Sequence, residues 1–157
     1  MTLAFAVWKG FNKQRVLPYM AAQLAGAFLA AGVLYALFEG SIARHEEMQG
    51  LVRGGPGSEA TAMLFGEYFP PPEGKPLAGR LDTLSLGRAM LAETVGTAVL
   101  VLVIFCLTSR RNAESPQILT AGYIGLTVTL LITLLAPLTM ACFNPARDFG
   151  PRLFSAL

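Results

Sequence analysis

The chain has 157 residues, 54% hydrophobic and only 14% charged, with a net charge of +2 and a mean hydropathy of +0.53. Soluble domains carry about 25% charged residues, so these values favour an all-α polytopic membrane protein, the length suiting one compact domain or about three to five membrane spans. The near balance of charge leaves no electrostatic footprint for nucleic acid; the lone His45 cannot build a metal site, and Cys106 and Cys142 lie in apolar stretches as packing thiols.

The apolar run 3–8 precedes the first positive residues and is too short for a secretory leader. Residues 16–38 carry no charge over 23 positions. As a helix they extend ~35 Å, enough to cross a ~30 Å hydrocarbon core with some tilt. Pro18 falls in the first turn, where it costs least. Ala22, Gly26 and Ala30 recur at helical spacing, which permits close approach of another helix. Gln23 is the strongly polar side chain of this span. It reads as an interhelical hydrogen bond or as a pore-lining group, the first being commoner.

Residues 39–88 hold seven acids against five Lys/Arg, with Gly54-Gly55-Pro56-Gly57 and the proline-rich run 70–76 as breakers. Loops longer than about 15 residues are usually functional or disordered. The stretch Ala62-Met63-Leu64-Phe65-Gly66-Glu67-Tyr68-Phe69 favours a folded outer loop that covers a vestibule over a disordered linker.

The second span, 89–108, contains Glu93. A carboxylate at depth costs about 2.5–3.5 kcal/mol, so it faces the protein interior and has a partner. As a structural group it accepts hydrogen bonds from irregular backbone, which must be satisfied at membrane depth. As a functional group it relays protons or coordinates an ion, a role that needs titratable partners absent from the other spans. A third span, 118–136, runs to Pro137, which ends or kinks it. Lys9, Lys13 and Arg15 precede the first span, and Arg110 and Arg111 come after the second. For three alternating spans these lie on one side. The positive-inside rule places 9–15 and 109–117 in the cytoplasm and 39–88 outside.

Residues 118–143 give 26 uncharged positions before Asn144-Pro145-Ala146-Arg147-Asp148-Phe149-Gly150-Pro151 brings charge back. Such a segment is expensive in lipid unless it lines water or protein. The Asn side-chain oxygen caps backbone N–H groups, and Pro supplies the fixed φ of the first helical position. The reading is a half-helix over 144–157 that starts inside the membrane with its positive dipole end near the midplane. Arg147 falls one turn on, near the same face. It lines a constriction, or it snorkels or pairs with Asp148; the Asn-Pro cap favours the constriction. Asp148 reads as a structural acceptor, Arg152 lies near the outer interface, and Cys142 is close enough to Asn144 to be worth probing.

Residues 139–151 resemble the second signature loop of the aquaporin superfamily, the major intrinsic proteins. Asp148 after Asn144-Pro145-Ala146-Arg147 looks like the glycerol-facilitator branch; water-selective members commonly carry Ser there. The resemblance covers the chain: 16–38 looks like the third membrane helix, 39–88 like that branch's extended outer loop, 89–108 with Glu93 like the fourth helix, and 118–136 like the fifth. Residues 2–8 are similar to the stretch immediately after the family's first Asn-Pro-Ala signature. The resemblance implies a truncated aquaporin-like fold, with three transmembrane helices and partial re-entrant half-helices in one partial channel domain, 1–157. The first two helices, first signature and sixth helix have no counterpart, so the chain reads as the middle of a longer channel. Met1 is then an internal residue or a misassigned start, and the piece alone conducts nothing.

Carried over by position, the resemblance makes Arg147 the constriction arginine. Ala141 takes the place of a Phe in the prototypical bacterial glycerol facilitator, and Ile132 that of a His in water-selective members. The carbonyls near Met140, Ala141 and Cys142 become an acceptor ladder, with Glu93, Pro145, Ala146 and Asp148 supporting the pore loop. Ala and Ile imply a wider, less polar filter, suited to glycerol, urea and similar small neutral solutes with water. Without Phe at Ala141, tight glycerol selection is not expected. The implied setting is a homotetramer in the lipid of the cell membrane, with no cofactor, metal or enzymatic reaction. Two rival readings are a proton-coupled transporter or intramembrane enzyme using Glu93, Asp148 and Arg147, and a nonconducting membrane scaffold. Scarce titratable groups in the spans disfavour the former.

Overall fold

The computed structural model describes residues 1–66, 84–109 and 117–156. These form α1 (Thr2–Trp8), a 3-10 turn (Lys13–Arg15), α2 (Val16–Gln49), α3 (Glu59–Ala62), α4 (Leu86–Leu107), α5 (Gln117–Thr139) and α6 (Pro145–Ser155). The fold is all-α, and among the described residues three helices are long and apolar enough to cross a membrane. Two compact units are distinguished, one holding α1 to α3 with α6, the other α4 and α5. Arg110, Arg111, the stretch 67–69 and the proline-rich run 70–76 lie outside the described residues, as does Leu157.

In the first unit, α2 begins after a turn in which the Asn12 side chain accepts the Gln14 N–H at 2.9 Å. It then runs for 34 residues, or ~51 Å at 1.5 Å per residue, well beyond a ~30 Å hydrocarbon core. The loop expected from Glu39 therefore does not begin there: residues 39–49 continue the helix. They contain no proline and are rich in strong helix formers such as Ala43, Arg44, Glu46, Glu47 and Gln49. The change of polarity marks the exit from lipid, not the end of the helix. Gly50 ends it in the left-handed region, φ 63° and ψ 30°, where a side chain would be strained. The Leu51 N–H closes the cap on the Glu46 carbonyl at 2.9 Å.

Gln23 makes an interhelical bond, its Nε2 donating to Thr2 Oγ1 of α1 at 2.9 Å. The stripe Ala22, Gly26, Ala30 is exposed, and nothing lies within 4 Å of a Cβ built on Gly26. Close approach occurs on a neighbouring face instead. A Cβ on Gly150 of α6 would stand 2.7 Å from Ala27 Cβ, 3.0 Å from Phe28 N and 3.1 Å from Leu24 O. Two helix backbones meet where glycine permits it. One to two turns on, Phe154 packs edge-on to Phe28 with centroids 5.6 Å apart, in space left by Gly32. Residues 150 and 154 meet α2 in ascending order, so the two helices run in the same direction.

Beyond the span, Arg53 Nε donates to both Glu46 carboxylate oxygens, at 2.9 and 3.0 Å. The Arg53 bond, with lesser help from Thr61 and His45 and against the opposing effect of burial, holds Glu46 below its ordinary value of 4.5. A carboxyl depressed in the folded state stabilises above its unfolded value, and that contribution is lost as pH falls through the folded value. Amide-exchange protection of residues 51–66 is therefore expected to stay flat from pH ~7 to ~5 and to fall only at lower pH. A decline already complete at pH ~6 would contradict this assignment.

In the second unit, α4 starts three residues before Ala89 because Ser85, in extended conformation, caps it by accepting the Arg88 N–H. Helix α5 passes through Pro137 to Thr139. The proline falls in its last turn, and Met140 N–H still reaches the Ala136 carbonyl at 2.9 Å. Ala89, Ala92 and Gly96 form the buried stripe of α4. The hydroxyls of Thr94, Thr127, Thr129 and Thr133 each donate to the carbonyl four residues earlier, the arrangement that satisfies a polar group inside lipid. Large apolar side chains such as Ile118 (80%), Leu134 (70%) and Leu102 (63%) are exposed, as helices facing lipid require.

Candidate functional site

The chain leaves α5 through four residues, Met140 to Phe143, without regular structure. Met140, Ala141 and Phe143 have φ of 66°, 55° and 53°, and among the described residues no other non-glycine has positive φ. Left-handed backbone costs an L-residue about 1–2 kcal/mol, so three together ask for roughly 3–6 kcal/mol from their surroundings.

Glu93 of α4 supplies it. Its Oε2 accepts the Phe143 N–H at 2.8 Å and its Oε1 accepts the Cys142 N–H at 3.2 Å. The Thr139 hydroxyl donates to the same Oε1 and in turn accepts the Ala141 N–H at 3.3 Å. Hydrogen bonds to a charged acceptor contribute about 1.5–3 kcal/mol each, so three match the backbone strain. A trans peptide directs its C=O opposite to its N–H. With the N–H groups of 141, 142 and 143 turned towards Thr139 and Glu93, the carbonyls of Met140, Ala141 and Cys142 are directed the other way. One carboxylate thereby aligns three acceptors.

Packing fixes the same turn. A Cβ on Gly96, one turn beyond Glu93, would fall 2.2 Å from Phe143 Cε1 and 2.9 Å from Leu135 Cδ1. The Phe143 ring occupies the space that glycine leaves.

Asn144 comes next in the chain. It is extended, φ −147° and ψ 111°, and its side chain caps α6, Oδ1 accepting the Ala146 N–H at 3.1 Å. Pro145 takes the first helical position, where its missing N–H costs nothing. With the carboxamide oxygen turned to the helix, the NH₂ lies on the opposite side of that group. Asn144→Ala is expected to destabilise the protein by about 1 kcal/mol through the lost cap. Thermal unfolding in lipid checks this, and an unchanged midpoint would refute the cap.

Arg147 is exposed on α6. Asp148 accepts from Arg152 Nε at 2.6 Å, a bridge one turn along the helix. Ile132 of α5, Met140 and Cys142 are half-buried. Ala141 has no exposed surface, so its methyl presents nothing to a solute in this arrangement. Any influence it has comes from its small volume, since the carbonyl is covered as fully as the methyl. Ile132 lies two turns before Thr139 on α5, away from the Glu93 network. Thr139, Phe143, Gly96 and Gly150 were not singled out by sequence reasoning. The two glycines carried a signal, since glycine inside a helix is unfavourable unless something approaches closely.

The description "Major intrinsic protein" matches residues 1–157, and the chain belongs to that family. It is 37% identical over 157 residues to a glycerol uptake facilitator protein of Pseudomonas aeruginosa, covering all of this chain and 52% of the relative. It is 36% identical to the propanediol uptake facilitator PduF of Salmonella typhimurium, again over all of this chain and 55% of the relative. Identity to Aquaporin-1 of Rhizopus delemar is 34%, over 46% of that protein. The chain spans about half the length of the curated relatives it matches. Family and helices together make it a multi-pass membrane protein.

Proposed function

We propose that residues 1–157 form part of a passive channel for glycerol, other small neutral solutes and water in the cell membrane, as a homotetramer. The observation that carries the reading is the Glu93 network, which with Thr139 holds the N–H groups of residues 141–143 and so turns the carbonyls of residues 140–142 one way, in a loop that leads directly into an Asn-capped half-helix. A solute hydroxyl needs a donor and an acceptor once its water is stripped. The half-buried Met140 and Cys142 offer their carbonyls as acceptors, with that of Ala141 between them covered in this arrangement, and the Asn144 NH₂ and Arg147 guanidinium act as donors. The helix dipole and Arg147 place positive potential on the path and oppose cations and protons. Ala141 and Ile132 leave the constriction wide and weakly polar. No bond is broken, so the protein is not an enzyme.

The positive-inside rule supports a topology with 9–15 and 109–117 cytoplasmic and 39–88 outside. Names of relatives support the solute class, since they include glycerol and propanediol facilitators. In the complete channel polypeptide, Arg147→Ala is expected to raise permeability to solutes larger than glycerol about tenfold, ~1.4 kcal/mol of barrier, and to admit a cation leak. Liposome flux tests it; unaltered selectivity removes Arg147 from the constriction.

A further inference from the structure

The outer end of α2, the segment 51–66 and the outer end of α6 are joined by a set of contacts that solute conduction alone does not call for. Arg53 reaches back seven residues to Glu46 through Nε, and its Nη1 donates to the Tyr35 hydroxyl. The Tyr35 ring lies 6.4 Å from Phe65 and 6.0 Å from Phe154, and Phe65 lies 5.9 Å from Phe154. Three rings from three segments thus meet in one cluster. Phe154 also packs on Phe28. A cavity of about 620 Å³, lined by Arg53, Thr61, Phe65 and Phe154 among others, lies beside the cluster. The segment is therefore not packed solidly onto the helices, and its attachment rests on the ion pair and the rings.

Phe154 lies seven residues after Arg147 on α6. Seven residues at 3.6 per turn return within ~20° of the same face, ~10 Å further along the axis. Gly150 docks α6 on α2 and the contacts of Phe154 add a second hold one turn on; together they fix the rotation of α6 and with it the direction in which Arg147 projects.

We propose that Arg53 is a positioning residue for permeation: by binding Glu46 and Tyr35 together it keeps the Tyr35–Phe65–Phe154 cluster closed on α6 and so sets the orientation of Arg147. Opening this latch removes one of the two holds and lets α6 pivot about Gly150, and the constriction widens without any change in the residues that line it. The geometry suits arginine. One planar guanidinium serves a carboxylate through Nε and a phenol through Nη1, which a lysine ammonium cannot do in the same plane. The effect on permeation rests on the constriction reading of Arg147; the mechanical link to α6 does not.

Two readouts separate these. Amide exchange in lipid nanodiscs, comparing R53Q, E46Q and Y35F with the parent, is expected to quicken about tenfold across 152–155 as well as 51–66. The R53Q/E46Q pair should add nothing to either single change. Quickening confined to 51–66, or none, overturns the latch. Y35F, which removes one hydroxyl and keeps the ring, guards against variants that misfold. In liposomes of the complete channel, R53Q is expected to raise the flux of a four-carbon polyol relative to glycerol in the direction seen for R147A. A shift with R147A but none with R53Q overturns control of permeation by Arg53 while leaving the channel reading in place. No shift with either, alongside faster α6 exchange, overturns the constriction reading and upholds the mechanical link.

Discussion

In the complete channel polypeptide of the proposed function, Glu93→Ala is expected to abolish solute flux and to lower stability by about 3–5 kcal/mol, the range for stripping a buried polar network of its charged member. The Phe143 and Cys142 N–H groups and the Thr139 hydroxyl would all lose their acceptor. At membrane depth no water replaces it. The left-handed turn at 140–143 then keeps only the Phe143 packing and the Thr139–Ala141 bond against its strain, and the three carbonyls lose their common direction. Glu93→Gln is the informative companion. It keeps one oxygen but brings an NH₂ against a backbone donor, so an intermediate loss is expected. Stopped-flow swelling of liposomes and thermal unfolding report the two effects. If Glu93→Gln equals the parent in both, the carboxylate is not what aligns the loop.

The second large effect is expected at Gly150. The nearest atoms to an added Cβ include backbone of α2, Phe28 N at 3.0 Å and Leu24 O at 3.1 Å, which cannot rotate away as a side chain can. Gly150→Ala should therefore cost about 2–3 kcal/mol as overpacking, despite the better helix propensity of alanine. Gly150→Val should prevent α6 from docking on α2. Ala27→Gly removes the 2.7 Å contact with the Ala27 Cβ but not the backbone ones, so it should rescue Gly150→Ala only in part. Full rescue would place the clash in side chains alone, and no loss at all would show that α6 does not sit against α2 as described.

The three spans were legible because uncharged runs of about twenty residues have few other uses. Their ends were less so. The change of polarity at Glu39 reads as the end of a helix, although the next ten residues favour helix and only Gly50 stops it. The N-cap at Asn144 was legible because Asn-Pro has a stereochemical consequence that context rarely alters. A buried carboxylate demands partners, and that demand could be read at Glu93; that one of them is Thr139 depends on how α4 and α5 pack. The positive φ values at Met140, Ala141 and Phe143 had no local signal, since none is Gly or Asn; tertiary hydrogen bonds impose them. The small-residue stripe at Ala22, Gly26 and Ala30 was real as a pattern, yet α6 chose Ala27 and Gly32, because helical spacing alone does not say which side a partner takes. The ring cluster around Phe154 joins residues far apart in the chain and left no trace in any single motif.

The account turns on Arg147 standing in an aqueous path within the membrane. The direct measurement is thiol reactivity of Arg147→Cys in a Cys106→Ser, Cys142→Ser background of the complete channel, against Leu126→Cys, an exposed apolar position of α5. A water-soluble, charged methanethiosulfonate should modify position 147 rapidly, glycerol should slow that reaction, and position 126 should stay inert. Equal inertness at 147 and 126, with or without glycerol, would contradict the claim.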